Sequence, residues 1–234
     1  MANVGMDSFF QTLGEKLEAP IRLHLQNVYA SLALSLLAAA AGGYVHVFTT
    51  ILSGSFLMGL VSIGLLVALT ATADNGKNQR LRLFYLIAFA FVSGLNLGPI
   101  LEYAIRLDPS IISTAMIGTA VIFLCFTFSA LFSNQRQYLY LTGILLSGLS
   151  IVSILGFFNL FFGSKLLFEV NLYLGLAVMC GFILYDTQLI IAKRRMGDRD
   201  FIWHSVNLFI DFINVFRYLL VLLSQKEEKQ KKQK

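Results

Sequence analysis

The sequence predicts an all-α membrane protein, with seven hydrophobic helices in one bundle and the last helix at its centre. Three observations lead there. Hydrophobic residues make up 57% of the 234-residue chain and charged residues only 13%, the mean hydropathy is +0.73, and the apolar residues are gathered into long uninterrupted runs. A soluble domain of this size has no interior large enough to hide them. The seven runs cover 28–48, 51–72, 83–105, 111–132, 138–162, 167–192 and 201–223, each of 21 to 26 residues. At about 1.5 Å per helical residue each one reaches across a hydrocarbon layer of about 30 Å. Alternation with period two is absent, so helices are favoured over a barrel.

Residues 1–27 read as a cytosolic arm, since Asp7, Glu15, Lys16, Glu18 and Arg22 leave no apolar core for a cleavable signal peptide. The first run then serves as the insertion signal. The third run holds Gly94-Leu95-Asn96-Leu97-Gly98-Pro99, where Pro99 withholds one hydrogen bond from the Leu95 carbonyl and Gly94 and Gly98 permit close helix approach. This is either a kinked wall of an ion path or, more commonly for Gly-x-x-x-Gly, a packing seam. Glu102 and Glu169 lie near run ends and are expected to snorkel outward. Cys125 and Cys180 both fall inside runs, which suits inert packing and suggests no disulfide framework. The runs form one membrane domain, 28–223, followed by a basic tail, 224–234.

The 18 Lys and Arg residues bear on topology. With a cytosolic N-terminus, Lys16, Arg22, Lys77, Arg80, Arg82, Arg136, Lys193, Arg194, Arg195 and Arg199 face the cytosol, while Arg106 and Lys165 face the other side. Seven full crossings add the five tail lysines to that other side and give 10 inside against 7 outside. Six crossings with a re-entrant last segment give 15 against 2, and the positive-inside rule favours this arrangement, with both termini cytosolic. Lys231 and Lys232 also have the form of a dilysine endoplasmic-reticulum retrieval signal, which is read only from the cytosol, although an ordinary solvated lysine tail has the same composition. Because the basic residues collect at run ends, they mark membrane orientation and do not suggest nucleic acid as a partner.

Asp186 and Asp211 are acids deep inside the last two runs, where an ionised carboxylate is costly and a functional role is the default reading. The short polar link 193–200 folds the runs into a hairpin and sets both acids at similar depth, roughly 10–17 Å below one membrane face. They are expected to meet. Tyr185, Thr187 and Gln188 flank Asp186 and can supply hydrogen bonds. At about 100° per residue, His204, Asn207, Asp211 and Asn214 form one polar stripe on the last helix, which places that helix in the middle of the bundle. Arg217 lies on another face. Paired carboxylates in a low-dielectric site cannot both ionise cheaply, so they titrate as a unit and form a proton sensor. Their oxygens also suit Ca²⁺, and because two carboxylates fall short of the roughly 6–8 oxygens of a tight site, binding would be weak and transient, as conduction requires. The bland alternative is a buried structural hydrogen bond.

The motif around Gly94 to Pro99, followed by Asp108-Pro109-Ser110-Ile111-Ile112, Thr114-Ala115 and Thr119-Ala120, continues into Gly181-Phe182-Ile183-Leu184-Tyr185-Asp186-Thr187-Gln188-Leu189-Ile190 and Leu208-Phe209-Ile210-Asp211-Phe212-Ile213-Asn214-Val215-Phe216. Together with Val28-Tyr29-Ala30-Ser31 and Met179-Cys180-Gly181, these segments closely resemble the Bax inhibitor-1 family, nearly end to end and nearer to its endoplasmic-reticulum branch than to its Golgi-type members. The resemblance implies a multi-pass protein of the endoplasmic-reticulum membrane that restrains cell death, with partners in the Bcl-2-type apoptosis and ER-stress machinery. It also implies a pH-sensitive Ca²⁺ leak gated by Asp186 and Asp211, with calcium as the conducted ion and no further cofactor. In bacterial members a basic residue on the second helix can latch the acid pair. Run 51–72 contains no Lys or Arg.

Three rivals belong to other classes. An intramembrane aspartyl protease of the presenilin type shares Tyr185-Asp186, but Leu208-Phe209-Ile210 stands where such enzymes carry Gly-x-Gly before the second acid, so no enzyme is expected. A proton/Ca²⁺ exchanger uses a titrating acid pair equally well, although no inverted repeat is visible. A non-conducting scaffold would keep the polar core for structure and act through helix contacts.

Overall fold

A computed structural model describes residues 18–49, 55–133 and 138–233. These form seven helices, α1 (Ala19–Phe48), α2 (Phe56–Ala71), α3 (Gln79–Leu107), α4 (Ser110–Phe132), α5 (Thr142–Phe162), α6 (Lys165–Arg195) and α7 (Phe201–Gln233), with a 3₁₀ turn at Leu139–Leu141. Asp7, Glu15 and Lys16 of the arm, the first residues of the second run, Arg136 and Lys234 lie outside the described residues. Six of the helices are long and apolar enough to cross a membrane, and α2, with 16 residues, is a shorter apolar helix. The protein is an all-α membrane protein.

Local chemistry sets the helix ends. Pro20 occupies the first turn of α1, where a missing N–H costs nothing. Gly163 closes α5 in the left-handed region (φ +57°), which suits a residue without Cβ. Ser164 Oγ accepts the Leu167 N–H at the start of α6, and Asp200 Oδ1 accepts the Trp203 N–H at the start of α7, at 2.9 Å. Because α1 begins at Ala19 and α7 continues to Gln233, the expected divisions at 27/28 and 223/224 fall inside continuous helices. Ile21, His24 and Leu25, placed in the arm by composition, are buried in the bundle.

The last helix is central, as its polar stripe predicts: α7 packs against α1, α3, α4 and α6, whereas α2 rests on α3 and α5 on α6. Leu208, Phe209, Phe212 and Val215 of α7 meet Val28, Leu86, Phe89, Phe123 and Ile183 in the main core, with edge-on ring contacts at 5.7 Å (Phe89 and Phe209) and 5.5 Å (Phe123 and Phe212). Outward residues such as Phe56, Ile63, Ile144 and Phe161 are apolar and exposed, as befits a surface solvated by lipid.

The Gly94–Gly98 segment is a packing seam. A Cβ on Gly94 would come within 1.9 Å of the Ala39 carbonyl oxygen, and one on Gly98 within 1.9 Å of the His46 ring. These glycines let α1 and α3 lie nearly backbone to backbone, and Pro99 is carried within α3 without ending it. Glu102 and Glu169, expected to snorkel, are part-exposed near the helix ends and are paired there. Glu102 meets His46 at 3.3 Å and Arg106 at 3.5 Å, and Glu169 meets Lys229 at 2.5 Å. Cys125 is exposed and Cys180 half-buried, both as free thiols.

The re-entrant last segment is corrected. Helix α7 is unbroken over 33 residues, about 50 Å, and its C-terminal turns meet the far ends of α3 and α6: Tyr103 donates to Glu228 at 2.9 Å, and Lys231 donates to the Leu107 carbonyl. Ala19 and Gln233 therefore lie at opposite ends of the bundle. The charge rule counted tail lysines as if each needed the cytosol, but here Lys229 and Lys232 pair with Glu169 and Glu228, and Lys231 donates to a helix C-terminal carbonyl at the far end. The expectation of two cytosolic termini, and with it a cytosolic dilysine address, does not follow from this geometry.

Two outcomes are expected. Glycosylation acceptors appended separately to the two termini should be modified at one terminus only, and modification of both or neither in microsomes would contradict a through-going α7. Gly94→Val should lower stability in detergent by about 1–3 kcal/mol through overpacking, measured by thermal unfolding, while Gly64→Ala, where an added Cβ meets nothing within 4 Å, should be tolerated.

Candidate functional site

The site is built where α6 and α7 cross. Gly175 of α6 receives the Tyr218 ring of α7, and the link between the helices turns tightly at Gly197 (φ +97°). This hairpin brings Asp186 and Asp211 together at hydrogen-bonding distance, side chain to side chain. Asp211 is 4% exposed, and its Oδ2 is sealed from solvent with no N–H or O–H donor from the described residues in reach. A carboxylate has only acceptor atoms, so the contact is bonding only when one proton lies between the two groups. The pair is thus an acid dyad, with Asp186 half-buried, on helices whose nearby residues Ile183, Leu208, Phe212 and Val215 belong to the main core.

The residues expected to support the dyad divide among other tasks. Gln188 donates to Ser133 Oγ and to the Ala130 carbonyl and accepts the Tyr138 N–H at 2.7 Å, so it fastens the connection between α4 and α5. Thr187 turns to Tyr29 of α1, which also faces Thr127 of α4, and all three hydroxyls are sealed from solvent. Tyr185 packs edge-on against Phe182. On α7 the stripe separates by level: His204 lies near the Ala19 end, Asn207 is half-buried, Asp211 meets Asp186, and Asn214 opens onto a groove shared with Arg217.

Near the Ala19 end the bundle holds a second polar layer that composition did not disclose. His24 Nε2 and His204 Nδ1 are 2.8 Å apart and both rings are buried, so one nitrogen carries the proton and the other accepts it. His204 Nε2 approaches Asp198 Oδ2 at 3.6 Å. Arg82 of α3, buried at 3% exposure, reaches Asp200 Oδ2 at 2.5 Å and Asp74 Oδ1 at 3.1 Å. One guanidinium thereby joins the α2–α3 link to the α6–α7 link. Ser205 Oγ adds a bond to the Val28 carbonyl at 3.0 Å. The described part of α2 carries no basic residue, and the buried base is Arg82, which grips the turn of the hairpin and not the acids themselves. In sequence Arg82 and Asp200 look like ordinary charges at run ends, and only the fold pairs them across 118 positions. His24 was hidden by the arm boundary.

Residues 21–228 match the family described as Inhibitor of apoptosis-promoting Bax1. The chain belongs to this Bax inhibitor family. A protein of Paralichthys olivaceus named Probable Bax inhibitor 1 is 48% identical over 232 residues, 99% of this chain and 97% of its own length. The Bax inhibitor 1 proteins of Homo sapiens and Bos taurus are 51% and 50% identical over 211 residues, in each case 90% of this chain and 89% of the relative. The likeness to Bax inhibitors therefore spans both helices of the acid hairpin and both polar layers.

The Arg82–Asp200 contact has a measurable consequence. Asp200→Asn keeps a capping side chain at the start of α7 but removes the charge facing a buried guanidinium, and with Asp74 still in place it should cost about 1–3 kcal/mol. Asp200→Ala should cost about 1 kcal/mol more through loss of the cap. Thermal unfolding of the two variants beside the wild type in the same detergent checks the order.

Proposed function

We propose that this chain restrains cell death from the endoplasmic-reticulum membrane by acting as a pH-sensitive calcium leak gated by the Asp186–Asp211 dyad. The observation that carries the reading is the contact of two carboxyl groups from α6 and α7 in the core of the bundle, with Asp211 cut off from solvent. The family supports the cell-death role: residues 21–228 match an inhibitor of apoptosis-promoting Bax1. The endoplasmic-reticulum location, the calcium specificity and the Bcl-2-type and ER-stress partners rest on the resemblance noted from the sequence.

The dyad acts as a gate through simple electrostatics. With one shared proton the carboxyls attract and draw α6 against the central helix. Removing that proton sets two like charges together in apolar surroundings, where repulsion is weakly screened. The helices then separate at this level, and the bared carboxylate oxygens become hard ligands for a passing Ca²⁺. Two carboxylates bind a divalent ion weakly, so it is released as readily as it is taken up. The chain performs no bond-making chemistry in this reading.

Calcium efflux from proteoliposomes, followed against pH, tests the proposal. Asp186→Asn and Asp211→Asn preserve shape and leave only one carboxyl to titrate, so two like charges can no longer meet; each should flatten the pH dependence, and the double variant should add little to either single. Glu18→Gln, at an exposed position before α1, should leave the profile unchanged. A profile identical to wild type in both correctly inserted aspartate variants would reduce the dyad to a structural hydrogen bond. Passive dissipation of the gradient marks a channel, obligatory proton counter-flux an exchanger, and no flux a scaffold.

A further inference from the structure

Arg217 is a permanent cation within the apolar run of α7, six residues before Leu223, and among the described residues no carboxylate pairs with it. An unpaired guanidinium at membrane depth is costly, and such residues are found with a partner. It lines a groove of about 440 Å³ between α2, α3 and α7, together with Ser62, Ser93, Asn96 and Asn214. The hydrogen bonding of these neighbours is informative. Ser62 Oγ donates to the Met58 carbonyl and Ser93 Oγ to the Phe89 carbonyl, at 3.1 and 2.7 Å, while Asn96 Nδ2 donates to Ser62 Oγ at 3.3 Å. What remains to face the groove is the guanidinium, whose N–H groups only donate, with the second Asn96 N–H and the Asn214 amide, whose N–H donors stand beside amide oxygens. No acid among the described residues lines it.

We infer that this groove binds the phosphodiester of a membrane phospholipid, with the Arg217 guanidinium and the Asn96 and Asn214 amides as its donors. A guanidinium fork matches two phosphate oxygens, and side-chain amides complete the shell without adding charge. The position suits a lipid. The α2 wall of the groove, Gly59 and Ser62, lies within two turns of the start of α2 at Phe56, on the end of the bundle opposite Ala19. Arg217 is about 9 Å along the helix from the end of its apolar run, within reach of the headgroup layer by snorkelling. Beside it Leu60 and Val61 of α2 are exposed, and a Cβ at Gly59 would meet nothing within 4 Å. That leaves a bare apolar strip for an acyl chain running toward the membrane centre.

The test uses the full purified chain in detergent, with retention of dioctanoylphosphatidylglycerol measured by native mass spectrometry and dioctanoylglycerol and inorganic phosphate as comparators. Wild type should retain the phospholipid, and R217Q should weaken retention at least ten-fold. N214D, which places a carboxylate beside the arginine and keeps the side-chain shape, should weaken it comparably, whereas R217K should retain a part. Dioctanoylglycerol, lacking the phosphate, should be held weakly and to the same extent by all four proteins. Equal phospholipid retention by wild type and N214D overturns the site even if R217Q fails to fold. Displacement of the phospholipid by an equal concentration of inorganic phosphate overturns the lipid as occupant and assigns the groove to a free anion.

Discussion

Two carboxyl groups in contact inside an apolar bundle hold together only while they share a proton, and much of the architecture serves to keep them in that position. Helix α6 must cross α7 closely, which Gly175 allows by admitting the Tyr218 ring. The link must be short and its ends fixed, which Gly197, the Asp200 cap and the Arg82 ion pairs provide. The apolar residues around Asp211 then do more than fill space. They exclude water and counter-ions, and so raise the energy difference between the protonated pair and the doubly charged one.

The polar residues of α7 are arranged as separate levels along one helix. His204 pairs with His24 near the Ala19 end, Asp211 with Asp186 in the core, and Asn214 turns with Arg217 toward the lipid-facing groove. The first two levels have partners on different neighbouring helices, α1 and α6, and the third faces a groove walled by α2 and α3, because successive stripe positions drift around a helix of 3.6 residues per turn. A single aqueous lane down the helix is thereby replaced by discrete polar contacts separated by apolar rings such as Phe209 and Phe212. In the proposed leak, passage of an ion would require these contacts to rearrange, and a gate at the dyad would act on that step.

Much of this was legible in the sequence, for reasons that differ by residue. Asp186 and Asp211 stood out because nothing else explains an acid in a run of apolar residues, and hairpin geometry alone set them at one depth. The centrality of α7 followed from its stripe. The role of Gly94 and Gly98 remained open because a packing glycine and a path-lining glycine have the same sequence, and only the proximity of Ala39 and His46 decides. Gln188 and Thr187 neighbour Asp186 in sequence but reach α4 and α1, because successive residues on a helix point about 100° apart. Arg82 was illegible in principle, since its partner is 118 residues away. The last segment misled because a count of charges treats lysines as free, whereas Lys229 and Lys232 are paired with Glu169 and Glu228.

The unbroken α7 also links events at the dyad to both membrane faces. A helix about 50 Å long held in regular hydrogen bonding moves as a stiff rod over short displacements. Near its start it is tied through Asp200, His204 and Ser205 to α3 and α1, and near its end through Glu228, Lys229 and Lys231 to α3 and α6. Separation of Asp211 from Asp186 must therefore tilt or slide the rod against ties at both ends, and those at the far end are exposed ion pairs that yield at small cost. The buried Arg82 and His24 contacts are the stiffer anchor. In the proposed gate, movement of α7 on loss of the shared proton would be a pivot about the Ala19 end, with the largest displacement at Asn214, Arg217 and the C-terminal turns.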